Sequence, residues 1–192
     1  MAQRLNLVRQ RIGIALDEAP PGPLTAISMV AGDGRDLLPV LADHPRRVDV
    51  VGRLVELDPD LAATARDTAS VAGLIGIDVM TGDAAKLDRY RPFIPADLVL
   101  ICGLFGNISD DDIRQTIGYA ASLTKRGGIV IWTRYRSGDD LFPMVAAWFD
   151  QAGFDQVFTS DARHPYGVGV HRSRVDPPPL PSDVTAFTFL GH

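Results

Sequence analysis

Five short apolar runs recur along this 192-residue chain: TAISMV, DVVGRLVELD, GIDVMTGDA, ADLVLICGLFG and IVIWTRYR. Four of them are followed by a segment with the spacing of an amphipathic helix. That alternation restricts the fold severely. Parallel strands cannot be joined by tight hairpins, so strand–helix–strand repeats imply a parallel sheet with helices packed on both faces. The fourth run, beginning at Ala96, is apolar almost without interruption, as expected of a strand buried on both sides.

The intervening segments carry the matching boundary signals. Leu5, Val8, Ile12 and Leu16 lie at helical spacing before the first strand, and APPGP ends that helix. Pro39 falls inside RDLLPVLADH, where it is tolerated in a first turn or as a kink. Pro59 begins the next helix, and Ser109 or Asp110 caps the one after. KRGG reads as a turn, and DLFPMVAAWFDQAGF as a helix after a glycine turn. The last two runs, QVFTSD and GVGVHRSR, are separated only by ARHPYG, which predicts an antiparallel hairpin at one edge. The expected fold is α/β: a doubly wound, Rossmann-like, seven-stranded sheet, mostly parallel with an antiparallel edge hairpin. Residues 1–22 are read as an N-terminal helix and linker, 23–175 as the core domain, and 176–192 as a proline-rich tail. Its apolar end, VTAFTFL, either docks on the body or adds an edge strand to a second copy.

Charge and composition remove several function classes. The net charge is −5, and the longest basic groupings are the pairs Arg46-Arg47 and Lys125-Arg126, too short for a phosphate-backbone footprint. A nucleic-acid partner is therefore not expected. A single cysteine, Cys102, excludes an intrachain disulfide, and the four histidines show no metal-ligand spacing, so no metal is expected. No apolar run reaches the roughly 20 residues that span a bilayer, and the first residues lack a signal-peptide core, giving a cytoplasmic expectation.

In a doubly wound sheet, ligands bind beyond the carboxyl ends of the strands where the strand order reverses. The first strand ends in VAGDGRDLL, Val30 to Leu38. Gly32 and Gly34 allow close approach of the backbone to a ligand. No Lys follows them, which removes a nucleoside-triphosphate loop. A dinucleotide turn wants a small third residue, and here it is Leu37; Asp33 and Asp36 would also repel a diphosphate. A sulfonium cofactor, which carries no phosphate, meets neither objection. Glu56, at the end of the second run, lies where a carboxylate accepts hydrogen bonds from ribose hydroxyls in either cofactor class. Asp83, in TGDA after the third run, can accept from an adenine amino group while the next backbone N–H donates to a ring nitrogen.

Taken in order, ISMVAGDGRDLL, LVELDP, TGDA, ADLVLICGLFGN and KRGGIVIWTR resemble a class I S-adenosylmethionine-dependent methyltransferase, over about Ile27 to Val170. The resemblance is to a small bacterial subgroup whose first motif reads close to CAGDGRDLL. It implies S-adenosyl-L-methionine as cofactor. Ala31, Gly32, Asp33 and Gly34 would then face its methionine part, Glu56 the ribose and Leu57 the adenine. Asp83 and Ala84 would read the adenine edge, with Cys102 and Gly103 near the sulfonium. The family's first motif opens with an acid and a glycine; this chain has Ser28 and Val30.

For the acceptor, CGLF stands where nucleic-acid amino methylases of this type carry an Asn/Asp-Pro-Pro-Tyr run. Together with the charge, this points to a small-molecule acceptor. Phe105, Asn107, Trp132, Arg134, Tyr135 and His164 are expected near the pocket mouth. Arg134 is the candidate partner for an acceptor anion and His164 the candidate base. No catalytic residue is assigned, because methyl transfer needs a base only when the acceptor must lose a proton. Short connections between strands leave the acceptor side open or completed by a second copy. The alternatives are an NAD-binding oxidoreductase and a non-catalytic binder of the adenosyl cofactor.

Overall fold

The computed structural model describes residues 2–136 and 140–191. The glycine turn read before the last helix falls on residues 137–139 and lies outside the described residues. The chain runs α1 (Ala2–Glu18), β1 (Leu24–Met29), α2 (Leu38–Asp43), β2 (Val50–Glu56), α3 (Pro59–Val71) and β3 (Ile77–Thr81). After a 3-10 helix at Leu87–Phe93 come β4 (Ala96–Ile101), α4 (Asp110–Leu123), β5 (Thr124–Tyr135), α5 (Phe142–Gln151), β6 (Phe154–Thr159) and β7 (Tyr166–Ser173). The seven strands form one sheet in the order β3-β2-β1-β4-β5-β7-β6. The first five are parallel to one another, while β7 is antiparallel to both β5 and β6. The edge hairpin is thus present, with β7 inserted between β5 and β6.

Each face of the sheet has its own apolar layer. On one, Val8, Ile12 and Leu16 of α1 pack with Leu38 and Leu41 of α2 and Ala62, Ala65 and Ala69 of α3. On the other, α4 and α5 pack through Ile113, Ile117, Val145 and Phe149 around Trp132. Side-chain caps hold these helices, and Ser109 is the one of the two expected candidates that serves. Asp58 accepts from the Asp60 and Leu61 amides at the start of α3, and the Ser109 hydroxyl accepts from the Asp112 amide at the start of α4. Two boundaries differ from the sequence reading. The second helix begins only at Leu38, so Pro39 sits in its first turn and no kink is needed. KRGG is absorbed into the start of β5, where pairing jumps from Ala96–Thr124 to Leu98–Ile129 and the extra residues bulge out of the ladder.

Strand β1 pairs with both β2 and β4, so the chain leaves β1 in one direction and returns on its other side. The carboxyl ends of β1, β2 and β4 therefore surround the crevice where a ligand is expected. The C-terminal tail docks on this same chain. Val184, Ala186 and Phe187 are buried against it, the docking that is one of the two alternatives read from the sequence. Among the described residues no helix is long and apolar enough to cross a membrane.

Candidate functional site

The turn after β1 is built around three left-handed residues: Val30 (φ 51°), Gly32 (φ 58°) and Gly34 (φ 74°). Gly34 is required twice over, since a Cβ there would lie 2.4 Å from Leu38 Cδ1 in the core. Val30 is the anomaly. Its position is the one where the resembling family has glycine, yet it holds a β-branched side chain in a region such residues rarely enter. That side chain packs partly against the core and lines the crevice. Ser28, the other departure, is buried mid-sheet between Leu54 and Leu100.

Most of the turn's amides are engaged internally. Ala31 N–H donates to Val55 O, Gly34 N–H to Ala31 O, and both Leu37 and Leu38 N–H to Gly34 O. Arg35 N–H donates to Asp33 Oδ1, and the same carboxylate pairs with the Arg35 guanidinium at 2.6 Å, which holds it below the usual carboxylate range. A diphosphate needs a run of free amides at such a turn, and here most are already engaged. The second acid, Asp36, is pushed up by burial, against the pull of Arg4 and Arg9, and it lies beside Cys102.

Glu56 is the organising group of the crevice. Only 6% exposed, its carboxylate accepts from Gly32 N–H at 2.7 Å through one oxygen and from Asp58 N–H at 2.9 Å through the other. It thereby ties the end of β2 to the glycine turn, and each oxygen keeps a further lone pair for a ligand hydroxyl. Glu56 opens onto a slot of about 340 Å³ lined by Val30, Leu57, Asp58, Ala84 and Phe189. A larger hollow of about 440 Å³ lies between α1 and α2, lined by Arg9, Asp17 and His44 among others. It is a shallow surface groove away from the strand carboxyl ends, so the smaller slot is the better candidate.

The remaining sequence-predicted residues divide. Leu57 is largely exposed on the slot, and Ala84 forms part of its lining. Asp83 sits in the turn beside it, with one oxygen accepting from Ala85 N–H. Cys102 is buried on the α1–α2 face, its thiol pushed well up by burial, which keeps it protonated and unreactive at neutral pH. Gly103 donates its N–H to the Thr133 hydroxyl, tying the ends of β4 and β5 together. Phe105 and Trp132, expected at the mouth, are wholly buried with ring centroids 5.8 Å apart. They are core residues because their ring faces are covered by α5 through Phe142 and Phe149. Arg134, expected to meet an acceptor anion, donates to the Phe105 carbonyl and pins the loop after β4. Asn107 serves the same loop, donating to Gly103 O. Tyr135 is exposed, and His164 stacks on Tyr166 at the start of β7. That strand is three places from β1, roughly 14 Å across the sheet at ordinary strand spacing. Asp58 and Phe189 are lining residues that sequence reasoning misses, and Phe189 is the harder one to find. Its one signal is an apolar tail, which says nothing of where the tail docks.

Neither a family model nor a curated protein matches the chain. Solved structures do. The chain is similar to an O-methyltransferase family protein from Burkholderia thailandensis (21% identity, TM-score 0.64), over 86% of this chain but only 56% of that one. It is similar to magnesium protoporphyrin IX methyltransferase from Synechocystis PCC 6803 with bound S-adenosylmethionine (15% identity, TM-score 0.69, 88% of this chain and 79% of that). A protein from Clostridium thermocellum assigned as an rRNA-methylase also superposes (16% identity, TM-score 0.64, 90% and 96%). The chain therefore has the Rossmann-like fold shared by these S-adenosylmethionine-dependent methyltransferases.

Proposed function

We propose that this protein is an S-adenosylmethionine-dependent methyltransferase acting on a small-molecule acceptor. The observation that carries the proposal is Glu56, a buried carboxylate held by the glycine turn and facing a slot at the switch point of the sheet. The residues present fit the adenosyl half of the cofactor. Glu56 has acceptor capacity for the ribose diol, Leu57 gives an apolar surface for the base, and Asp83 with the Ala84 backbone supplies a donor–acceptor edge. The internally bonded amides of the turn favour this phosphate-free cofactor over NAD.

When bound, the cofactor supplies an electrophilic methyl group on a sulfonium, and the transfer is an in-line displacement. The chain's part is to bind, orient and exclude water. Gly32 and Gly34 let the backbone approach the methionine part. Arg134 and Asn107 hold the loop after β4 in place, so they act on the acceptor side by positioning. The neighbours include both small-molecule and RNA enzymes by name, so the acceptor class is argued from this chain. Its charge of −5 and short basic pairs give no surface for a phosphate backbone.

Calorimetry with S-adenosylmethionine, S-adenosylhomocysteine and NAD tests the reading. The two adenosyl-sulfur ligands are expected to bind and NAD is not. Glu56→Ala and Asp83→Ala should each weaken S-adenosylhomocysteine by tenfold or more, about 1.4 kcal/mol. Heat with NAD alone, or unchanged affinity in both variants, would overturn it. A second reading, a non-catalytic adenosyl binder, is favoured by Ser28 and Val30 in place of the family's acid and glycine. A turnover screen separates the two, since only an enzyme consumes the methyl donor.

A further inference from the structure

The C-terminal tail follows a fixed path over the sheet. Arg91 donates to Leu180 O and Pro181 O, and Asp183 N–H donates to Asp88 Oδ2 at 2.9 Å. Leu87 N–H then donates to Val184 O, Lys86 Nζ to Thr185 Oγ1, and Ala186 N–H to Ala85 O. From the other side, Gln115 Nε2 donates to Thr185 O and Ala186 O, and Thr188 N–H donates to Asp112 Oδ2. Leu190 N–H finally reaches Asn107 O. The tail is thus laced between the segment that follows β3 and the start of α4. The first of these reaches the slot through Ala84, and the lacing brings Phe189 to its lining.

Its exposure on the slot sets Phe189 apart from the tail's buried apolar residues. Ala186 and Phe187 are buried, whereas Phe189 remains 38% exposed, with Phe187 packed against its ring at a centroid distance of 5.4 Å and 78° between planes. It therefore faces an open slot while supported from behind. That slot carries the Glu56 carboxylate and a second apolar wall residue, Leu57. A slot with an aromatic ring, an apolar side chain and a hydroxyl-accepting carboxylate suits a flat heteroaromatic base joined to a ribose. Phe105, in the loop after β4, is wholly buried and cannot take this role.

We infer that Phe189 is the aromatic surface on which the cofactor's adenine rests, so that the C-terminal tail is a structural part of the cofactor site. The inference rests on the adenosyl reading given above. Base–aromatic contact accounts for roughly ten- to hundredfold in affinity. Because the docked tail itself supplies Phe189 to the slot, ligand binding also stabilises its docking, and the two are linked thermodynamically.

Calorimetric titration of the full chain with adenosine and with S-adenosylhomocysteine tests this directly. Phe189→Ala should weaken both ligands by a similar factor of at least ten, and Leu190→Ala, outside the slot lining, should change neither. Phe189→Trp should retain affinity, and its added indole fluorescence should change on saturation. In the wild type, the Ala186 and Leu190 amides should exchange more slowly with ligand bound. If wild type binds S-adenosylhomocysteine while Phe189→Ala binds within twofold of it, the role of Phe189 is refuted and the cofactor reading stands. If wild type binds neither probe, the cofactor reading falls and takes the inference with it. Should Phe189→Ala fail to fold, an unchanged indole signal from the Phe189→Trp variant at saturation refutes the contact by itself.

Discussion

Replacing Val30 offers a test in which the sign of the result, and not only its size, carries the information. At φ 51° the valine is held where L residues meet steric penalties of about 1–2 kcal/mol. Its side chain is half-buried, so truncation to Ala removes partly covered methyl groups at a cost of about 1 kcal/mol and relieves little of the backbone penalty. Truncation to Gly loses the same contacts and adds about 0.5–1 kcal/mol of chain entropy, but it abolishes the left-handed penalty. Val30→Gly should therefore be more stable than Val30→Ala by about 0.5–1 kcal/mol and lie close to wild type. At an ordinary backbone position the order is reversed. Urea unfolding at fixed slope measures the difference, as a midpoint shift of a few tenths of a molar. In thermal unfolding the same difference is about 1–4 °C for a domain of this size. If Val30→Ala proves as stable as Val30→Gly, or more so, Val30 is not strained and the argument from its backbone angle fails.

Three further outcomes follow from the same geometry. Glu56→Gln places an amide donor against one of the backbone N–H groups that now meet a carboxylate oxygen, so it should cost about 1–3 kcal/mol in unfolding free energy without ligand. His171 is wholly buried, accepts from Trp132 Nε1 at 3.0 Å, and is pushed down to about 4 by burial. The unfolded chain takes this proton first, near pH 6.5, so the stability is complete above that pH and is lost as pH falls towards 4. The loss amounts to about 3 kcal/mol, and His171→Asn, which keeps an acceptor for Trp132, should flatten it in urea unfolding between pH 7 and 4.5. An equal slope in the variant would disprove the assignment. Asp36 shifts the opposite way: burial raises it, so its ionisation opposes folding as pH rises past its ordinary value of 3.8. Asp36→Asn should melt at a higher temperature at pH 7, with the gain shrinking in acid. A lower melting temperature at pH 7 would mean that attraction to Arg4 and Arg9 outweighs burial.

The architecture was legible because its signals are local. A helix buries every third or fourth side chain and a strand every second, so Val8, Ile12 and Leu16 or the run from Ala96 announce their elements within one window. Pro59, Asp58 and Ser109 mark helix starts by chemistry contained in one turn. Part of the candidate slot's lining was legible for a related reason. Glu56 and Ala84 stand at strand ends, and a doubly wound sheet brings strand ends together by its topology.

What the residue types around a slot will do depends on contacts between distant parts of the chain, and here only the tertiary structure decided. Trp132 lies within β5 and Phe105 just after β4, near strand ends as Glu56 is, yet α5 covers them and they became core. Arg134 looked free to meet an anion until the loop after β4 presented it with a carbonyl. Val30 stands out in the sequence only as a departure from the resembling family's glycine, and its left-handed backbone appears only in the folded turn. The tail carried an apolar pattern but no address. Its position was settled by hydrogen bonds to Ala85, Leu87, Asp112 and Asn107, partners far away along the chain, and these placed Phe189 on the slot. Periodicity reports which side chains must be buried; which neighbours bury them is a property of the assembled sheet.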